Sequence, residues 1–338
     1  MALLEVQDLH IRLQTTRGPA DAVRGLSFSL DKGDAIGLIG ESGCGKSLTV
    51  MALMGLLPEG AQVRGNIRFE GQELVGLDER QMCRLRGDRL AMIFQEPMTA
   101  LNPVHSIGHQ VAEPLRLHRG LNAAAARGEA IALLDRVGIP NAAQRVDAYP
   151  HQFSGGQRQR ITIAMALACN PDLLIADEPT TALDVTVQRQ ILDLINELVD
   201  ERGMALMLIS HDLGVIANNV DRMLVMYGGS VVESGPTESV FARMAHPYTR
   251  GLFAARPRLG PRPPGPRQAL ATIAGTVPEL VDLPAGCAFA GRCALSTAQC
   301  EQQRPLAQGV GDTEPLEGAS PHLVSCWHSP ELPTEART

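Results

Sequence analysis

Gly40-Glu41-Ser42-Gly43-Cys44-Gly45-Lys46-Ser47 carries the spacing G-x-x-x-x-G-K-S. Glycines at that spacing let a backbone wrap closely, so that successive N–H groups at a helix start point at phosphate oxygens. The lysine then reaches the β- and γ-phosphates of a nucleotide, and the serine ligates Mg²⁺. Leu173-Leu-Ile-Ala-Asp177-Glu178-Pro179 supplies the complementary chemistry. An apolar strand delivers Asp177 to its end, where the carboxylate can hold Mg²⁺ through the metal's water shell. Glu178 beside it can polarise an attacking water as general base. Taken alone, the run also reads as a strand ending in two solvated acids; behind a phosphate loop the catalytic reading prevails. A second glycine-rich turn, Ser154-Gly155-Gly156-Gln157-Arg158, stands where a helix is about to begin. By itself it is a helix cap, and a chain working alone has little use for a second such loop.

The elements that must position these residues alternate. Residues 3–13, 22–30 and 63–69 read as short strands, and residues 34–40 and 173–177 as buried parallel ones. A further apolar strand covers 205–210. Helices are expected over 47–57, closed by Pro58, and over 157–168 and 187–201. Arg222–Gly235 reads as a strand pair turning at Gly228-Gly229. Strands alternating with helices predict an α/β fold, a mainly parallel sheet covered on both faces. Between about residues 96 and 160 the pattern turns to helices and loops, which predicts an inserted helical subdomain. Residues 256–267 read as a stiff, basic, proline-rich linker, and residues 268–338 as a tail with four cysteines.

The chain has 338 residues, enough for one large domain or two, and 44% of them are hydrophobic, as in an ordinary globular protein. No run of about eighteen apolar residues is present, and the start, Met-Ala-Leu-Leu-Glu-Val, lacks a signal-peptide pattern. Seven cysteines without an export signal suggest thiols or metal ligands in a reducing compartment, so a cytosolic chain is expected. The net charge of −7 argues against nucleic acid as a partner.

In this order, the motifs resemble the ATP-binding-cassette (ABC) family of transport ATPases, over roughly residues 3–255. The resemblance implies a P-loop NTPase fold with an antiparallel β subdomain and the inserted helical subdomain. It makes residues 1–255 the nucleotide-binding domain and ATP with Mg²⁺ the ligand. Ser154-Gly155-Gly156-Gln157 is similar to the family's signature motif, which caps the γ-phosphate of ATP held by a partner's P-loop. Gln95 resembles the glutamine that senses Mg²⁺ and water and touches the membrane partner. Thr181-Ala182-Leu183-Asp184 resembles the loop crossing the dimer interface, and His211 the histidine that contacts the γ-phosphate. Site residues are thus Gly40 to Ser47, Ser154 to Gln157 and Asp184 for ATP. Ser47, Gln95 and Asp177 are those for Mg²⁺, and Glu178, Gln95 and His211 those for catalysis. Where family members stack adenine on an aromatic ring, Arg17 or a close neighbour stands here, and a guanidinium can also stack on a purine.

Glu96-Pro-Met-Thr-Ala-Leu-Asn-Pro103 and His246-Pro-Tyr-Thr-Arg-Gly-Leu252 resemble hallmarks of the oligopeptide, dipeptide and nickel importers, as does the tail. The subfamily implies a subunit at the cytoplasmic face of the inner membrane. Its partners would be a paralogous ATPase subunit (or a second copy of itself), two membrane permease subunits and an extracytoplasmic solute-binding protein. Peptides lead as solute, with nickel and glutathione open. Cys287, Cys293, Cys300 and Cys326 follow C-x5-C-x6-C-x25-C, unlike the paired spacing of common zinc sites. A [4Fe–4S] cluster, which peptide importers of this kind can carry in the tail, is the first expectation for them, and zinc the alternative. A soluble cassette protein acting on ribosomes or DNA would carry two cassettes or a long coiled coil, and a P-loop kinase would not need Ser154-Gly-Gly-Gln.

Overall fold

The strands bearing the phosphate loop and the acid pair are buried on both faces, which is why their sequences lack polar alternation. The computed structural model describes residues 2–181, 183–255, 272–311 and 320–329; the expected linker at 256–267 and Ala182 lie outside them. The described strands are β1 (Leu4–Thr15), β2 (Gly18–Leu30), β3 (Ala35–Ile39), β4 (Gln62–Phe69), β5 (Gln72–Glu73) and β6 (Leu90–Ile93), then β7 (Leu173–Asp177), β8 (Ala205–Ser210), β9 (Arg222–Tyr227), β10 (Ser230–Pro236), β11 (Gln308–Gly309) and β12 (Leu323–Val324). The larger sheet runs β11-β12-β10-β9-β3-β8-β7-β6. Its run from β9 to β6 is parallel, and β10 to β11 extend it antiparallel. The smaller sheet, β2-β1-β4-β5, is antiparallel throughout.

Successive residues of the central strands feed two cores. Leu174, Ala176, Leu206 and Leu208 face one, and Leu173, Ile175, Met207 and Ile209 face the other. The first core is covered by helices. Five of them, α3 (Pro97–Ala100), α4 (Ile107–His118), α5 (Ala123–Arg136), α6 (Ala142–Arg145) and α7 (Gly155–Ala166), lie in the chain between β6 and β7. The helix α8 (Val185–Arg202) starts at an Asp184 cap and ends at left-handed Gly203. The second core is covered by the small sheet, by α1 (Lys46–Leu53) and by α2 (Glu79–Leu85). The expected α/β architecture, with parallel core, antiparallel sheet and helical insertion, is the observed one. Helix ends differ: α7 starts and stops two residues before the expected 157–168, α8 runs slightly beyond 187–201, and α1 falls furthest short. The helix after the phosphate loop stops at Leu53 and not at Pro58. Gly55 adopts φ +62°, Gly55 N–H donates to Ala52 O and Leu56 N–H to Met51 O; this closing motif satisfies the last carbonyls before the proline is reached.

Beyond β10 the chain continues through α9's successors, α10 (Thr237–Arg243) and α11 (Pro247–Ala254), α9 itself being Leu213–Asn219; α12 (Ala298–Gln302) lies in the tail. Buried Glu233 on β10 organises this region. Its carboxylate accepts from Ala245 N (2.7 Å), His246 N (2.9 Å) and His322 Nε2 (2.8 Å). His246 caps α11, its Nδ1 accepting from Tyr248 N at 3.0 Å. Burial lowers the His246 pKa to about 4, against a smaller upward pull from Glu233. The imidazole is therefore neutral in the fold and must stay so. Its ordinary value is 6.5, so this stability is complete above that pH and drains away as pH falls towards 4, by on the order of 3 kcal/mol. His246→Asn keeps an acceptor for Tyr248 N and removes the titration. Thermal unfolding between pH 7 and 4.5 should show the wild type losing more stability than this variant; parallel losses would refute the assignment.

Candidate functional site

Gly40 to Ser47 forms the turn from β3 into α1. At Gly40 a Cβ would stand 2.2 Å from Met226 O, and at Gly45, with φ +104°, 2.7 Å from Ala22 O. Both positions therefore require glycine. Ser42 and Gly43 are exposed at the crest, while Cys44 is buried beneath it. Burial pushes the Cys44 thiol up, which makes it a packing residue. Lys46 is also buried and donates from Nζ to Gly40 O (2.7 Å) and Glu41 O (3.2 Å). The ammonium is thus held inside the loop whose N–H groups would meet a phosphate.

β7 carries both acids, and β8 carries His211, to the end of the parallel sheet where β3 leaves the phosphate loop. Asp177 is buried, and its Oδ1 has no hydrogen-bond partner. Burial pushes its carboxyl up, with Glu178 adding to the rise and the Ser47 hydrogen bond and Lys46 opposing it. An orphaned carboxylate oxygen beside a serine hydroxyl and a lysine fits a divalent cation that brings a triphosphate with it. Glu178 follows with φ +46° and gives its N–H to Ile209 O on β8. Three side chains meet its Oε2: Gln95 Nε2 at 3.0 Å, Thr181 Oγ1 at 3.0 Å and His211 Nδ1 at 3.2 Å. Gln95 follows β6 and His211 follows β8, so parallel strands deliver all of them to one point. Such a cluster can orient a water and withdraw its proton. Thr181 was not among the expected site residues; its side-chain contact to the glutamate three positions earlier is invisible to a motif.

Ser154 and Gln157 close a reciprocal cap at the start of α7: Gln157 N donates to Ser154 Oγ (3.3 Å) and Ser154 N to Gln157 Oε1 (3.2 Å). Gly156 is required there because a Cβ would stand 2.8 Å from Val187 Cγ1 on α8. Ser154 and Gly155 are exposed, as are Asp184 and Val185 at the start of α8. Among the described residues no hydrogen bond joins this turn to Gly40–Ser47. The structure therefore gathers Gln95, Asp177, Glu178 and His211 around the phosphate loop, and leaves Ser154, Gly155 and Asp184 exposed with Gly156 and Gln157 half-buried behind them.

Arg17 is not free to act as a simple base platform. Its guanidinium donates to Asp282 Oδ2 (2.6 Å) and Oδ1 (2.7 Å) and to Glu279 Oε2 (2.7 Å), which makes it a docking point for the tail. The tail also places Phe289 against Tyr227 and Tyr248, with ring centroids 5.1 and 5.4 Å apart. Cys287 N donates to Cys300 O at 2.7 Å. Burial, followed by the charges of the other cysteines, raises the Cys326 thiol to about 11. Among the described residues, however, no group of three or more His, Cys, Asp or Glu is placed to hold a metal ion. The zinc alternative at Cys287, Cys293, Cys300 and Cys326 is thereby unsupported, because four sulfurs on one ion would stand about 4 Å apart. The iron–sulfur expectation gains no metal-binding group from this arrangement either.

Comparison with known proteins agrees with this geometry. Residues 23–181 match the family described as ABC transporter, and residues 232–300 the oligopeptide/dipeptide transporter C-terminal region. The chain is 49% identical to the oligopeptide transport ATP-binding protein OppD of Haemophilus influenzae, covering 88% of this chain and 91% of that one. It is 46% identical to the dipeptide transport ATP-binding protein DppD of Bacillus subtilis, over 96% and 94% of the two. Among solved structures, the ATP-binding cassette MJ0796, a post-hydrolysis dimer bound to ADP and Pi, has a TM-score of 0.62 at 25% identity, covering 69% of this chain and 98% of that one. CbiO1 of Clostridium perfringens, part of an ABC transporter complex, has a TM-score of 0.61 at 26% identity, covering 72% and 92%. With a phosphate loop, a buried aspartate and a glutamate ringed by Gln95, Thr181 and His211, the chain belongs to the ABC transporter family, in its oligopeptide/dipeptide ATP-binding branch.

Proposed function

We propose that this chain is the ATP-hydrolysing subunit of an importer of di- and oligopeptides. The observation that carries the reading is a likeness running from the phosphate loop into the cysteine tail, to proteins named for peptide transport. Residues 1–255 would be the nucleotide-binding domain, with 256–267 the linker and 268–338 the extension. Gly40–Ser47 would bind the triphosphate, Ser47 and Asp177 would hold Mg²⁺, and Gln95 would stand beside it. The cation would supply charge neutralisation for the transferring phosphoryl group. Glu178 takes the water's proton, oriented by Gln95, Thr181 and His211.

Ser154, Gly155 and Asp184 are exposed, and Ser154–Gln157 with Asp184 would meet the nucleotide of a second cassette. The first partner is a paralogous ATPase subunit, with a second copy of this chain as the alternative. Closure would be transmitted to two permease subunits through Gln95 and the helical insertion; Phe94 beside Gln95, and Met98 and Val104 in the insertion, are exposed apolar residues. No helix among the described residues is long and apolar enough to cross a membrane, which suits a peripheral subunit at the cytoplasmic face. The solute would be delivered by an extracytoplasmic binding protein. Glu178→Gln should keep ATP binding and lower hydrolysis by about 100-fold or more, read as phosphate release by the assembled transporter. Cells carrying it should lose uptake of labelled di- and oligopeptides. Peptide uptake that survives while nickel uptake fails would move the solute to the metal branch.

Cys287, Cys293, Cys300 and Cys326 would hold a [4Fe–4S] cluster. One observation favours it: His328 N–H donates to Cys326 Sγ at 3.4 Å, and hydrogen bonds to the sulfurs are among the contacts by which a protein tunes such a cluster. A cluster also spaces its thiolates further apart than one ion does. Anaerobically purified protein should be brown with about four iron atoms per chain, and a Cys300→Ser variant should lose both. Colourless, iron-free wild type would rule the cluster out.

A further inference from the structure

The phosphate loop is tied to the cysteine-bearing tail through one side chain. Arg292 closes the 3-10 turn Ala290–Arg292, between Cys287 and Cys293. Its Nη1 donates to Glu41 Oε2 at 2.7 Å and its Nη2 to Glu41 Oε1 at 3.3 Å, across 251 positions of sequence. Nη1 also meets Tyr227 OH at 3.3 Å, and Nε donates to Ala274 O at 2.8 Å. The Arg292 side chain is only 7% exposed. Glu41 is gripped at its backbone too, its N–H donating to Tyr248 OH at 2.8 Å.

Glu41 is the second residue of a loop built to receive a triphosphate, and a carboxylate there opposes an anionic ligand. A forked, buried guanidinium cancels that charge and fixes where the carboxylate lies, because both oxygens are engaged at once. Such a contact adds little to a surface, but it changes the field inside a phosphate loop. We propose that Arg292 is a positioning residue for ATP binding, acting through Glu41, so that the tail forms part of the nucleotide site of its own chain. The proposal rests on Gly40–Ser47 being the ATP loop.

The test is the ATP dissociation constant of the full-length chain, measured by calorimetry with Mg²⁺. Lys46→Ala checks the loop itself: unchanged binding in that variant would strike down the loop reading, separately from Arg292. Arg292→Gln should weaken ATP about tenfold, a loss in proportion to a broken charge-assisted pair. Arg292→Lys, which keeps the charge and loses the fork, should lose less. Glu41→Gln combined with Arg292→Gln should recover most of the affinity, since no carboxylate then needs cancelling. A purely architectural Arg292 would leave the double variant as weak as the single one, and that result, or unchanged binding by Arg292→Gln, would overturn the proposal.

Discussion

A phosphate loop gathers a buried cation and a row of N–H groups into one turn of chain, and much of this structure answers that constraint. Lys46 is buried and spends its hydrogen bonds on the carbonyls of Gly40 and Glu41. A buried ammonium is tolerable only where dipoles and opposite charges surround it. Asp177 is close enough for the lysine to lower its pKa, yet burial still keeps the carboxyl above its ordinary value. The two groups offset each other only in part, and what remains is the attraction for a nucleotide and its cation. The central strands serve this arrangement directly: β3 delivers the loop, β7 the acids, and β8 both His211 and the carbonyl that anchors Glu178.

The same constraint accounts for the strained backbone at Glu178. A non-glycine residue at φ +46° costs energy that the surrounding contacts must cover. Here the N–H is taken by Ile209 O and the side chain by three partners. The turn directs the carboxylate away from the strand axis and towards Gln95 and His211, neither of which is adjacent in sequence. Strain is thereby placed at a residue whose direction matters to the chemistry.

Much of this was legible in the sequence because the informative patterns are local. The loop spacing, the apolar runs 173–177 and 205–210, and the Gly228-Gly229 turn each specify a structure within a few residues. At the end of α1 the sequence offers Pro58 as the stop, although Gly55 satisfies the helix carbonyls first. The sequence offers Arg17 or a close neighbour as a guanidinium for stacking, but Glu279 and Asp282 reach Arg17 from about 260 positions away. Tyr248, Tyr227 and Arg292 carried no chemical signal of their own. They matter only because the tail folds back on the loop, a pairing that no local pattern encodes.

His246-Pro-Tyr-Thr-Arg-Gly-Leu252 then acquires a physical meaning beyond a family hallmark. Glu233 accepts the His246 N–H, His246 caps α11 through Tyr248 N, and Pro247 opens the helix at a position that has no N–H to spare. That chain of contacts fixes Tyr248, whose hydroxyl holds the backbone of Glu41 while Arg292 holds its carboxylate. Glu233 in turn binds His322, and Val324 pairs with β10 alongside it. The segment after β10 and the tail therefore reach one residue of the phosphate loop from two directions. Each route passes through buried polar groups that are costly to leave unpaired. Loosening the tail would release Glu41 into the loop, so the cysteine module and the nucleotide site cannot be independent of one another.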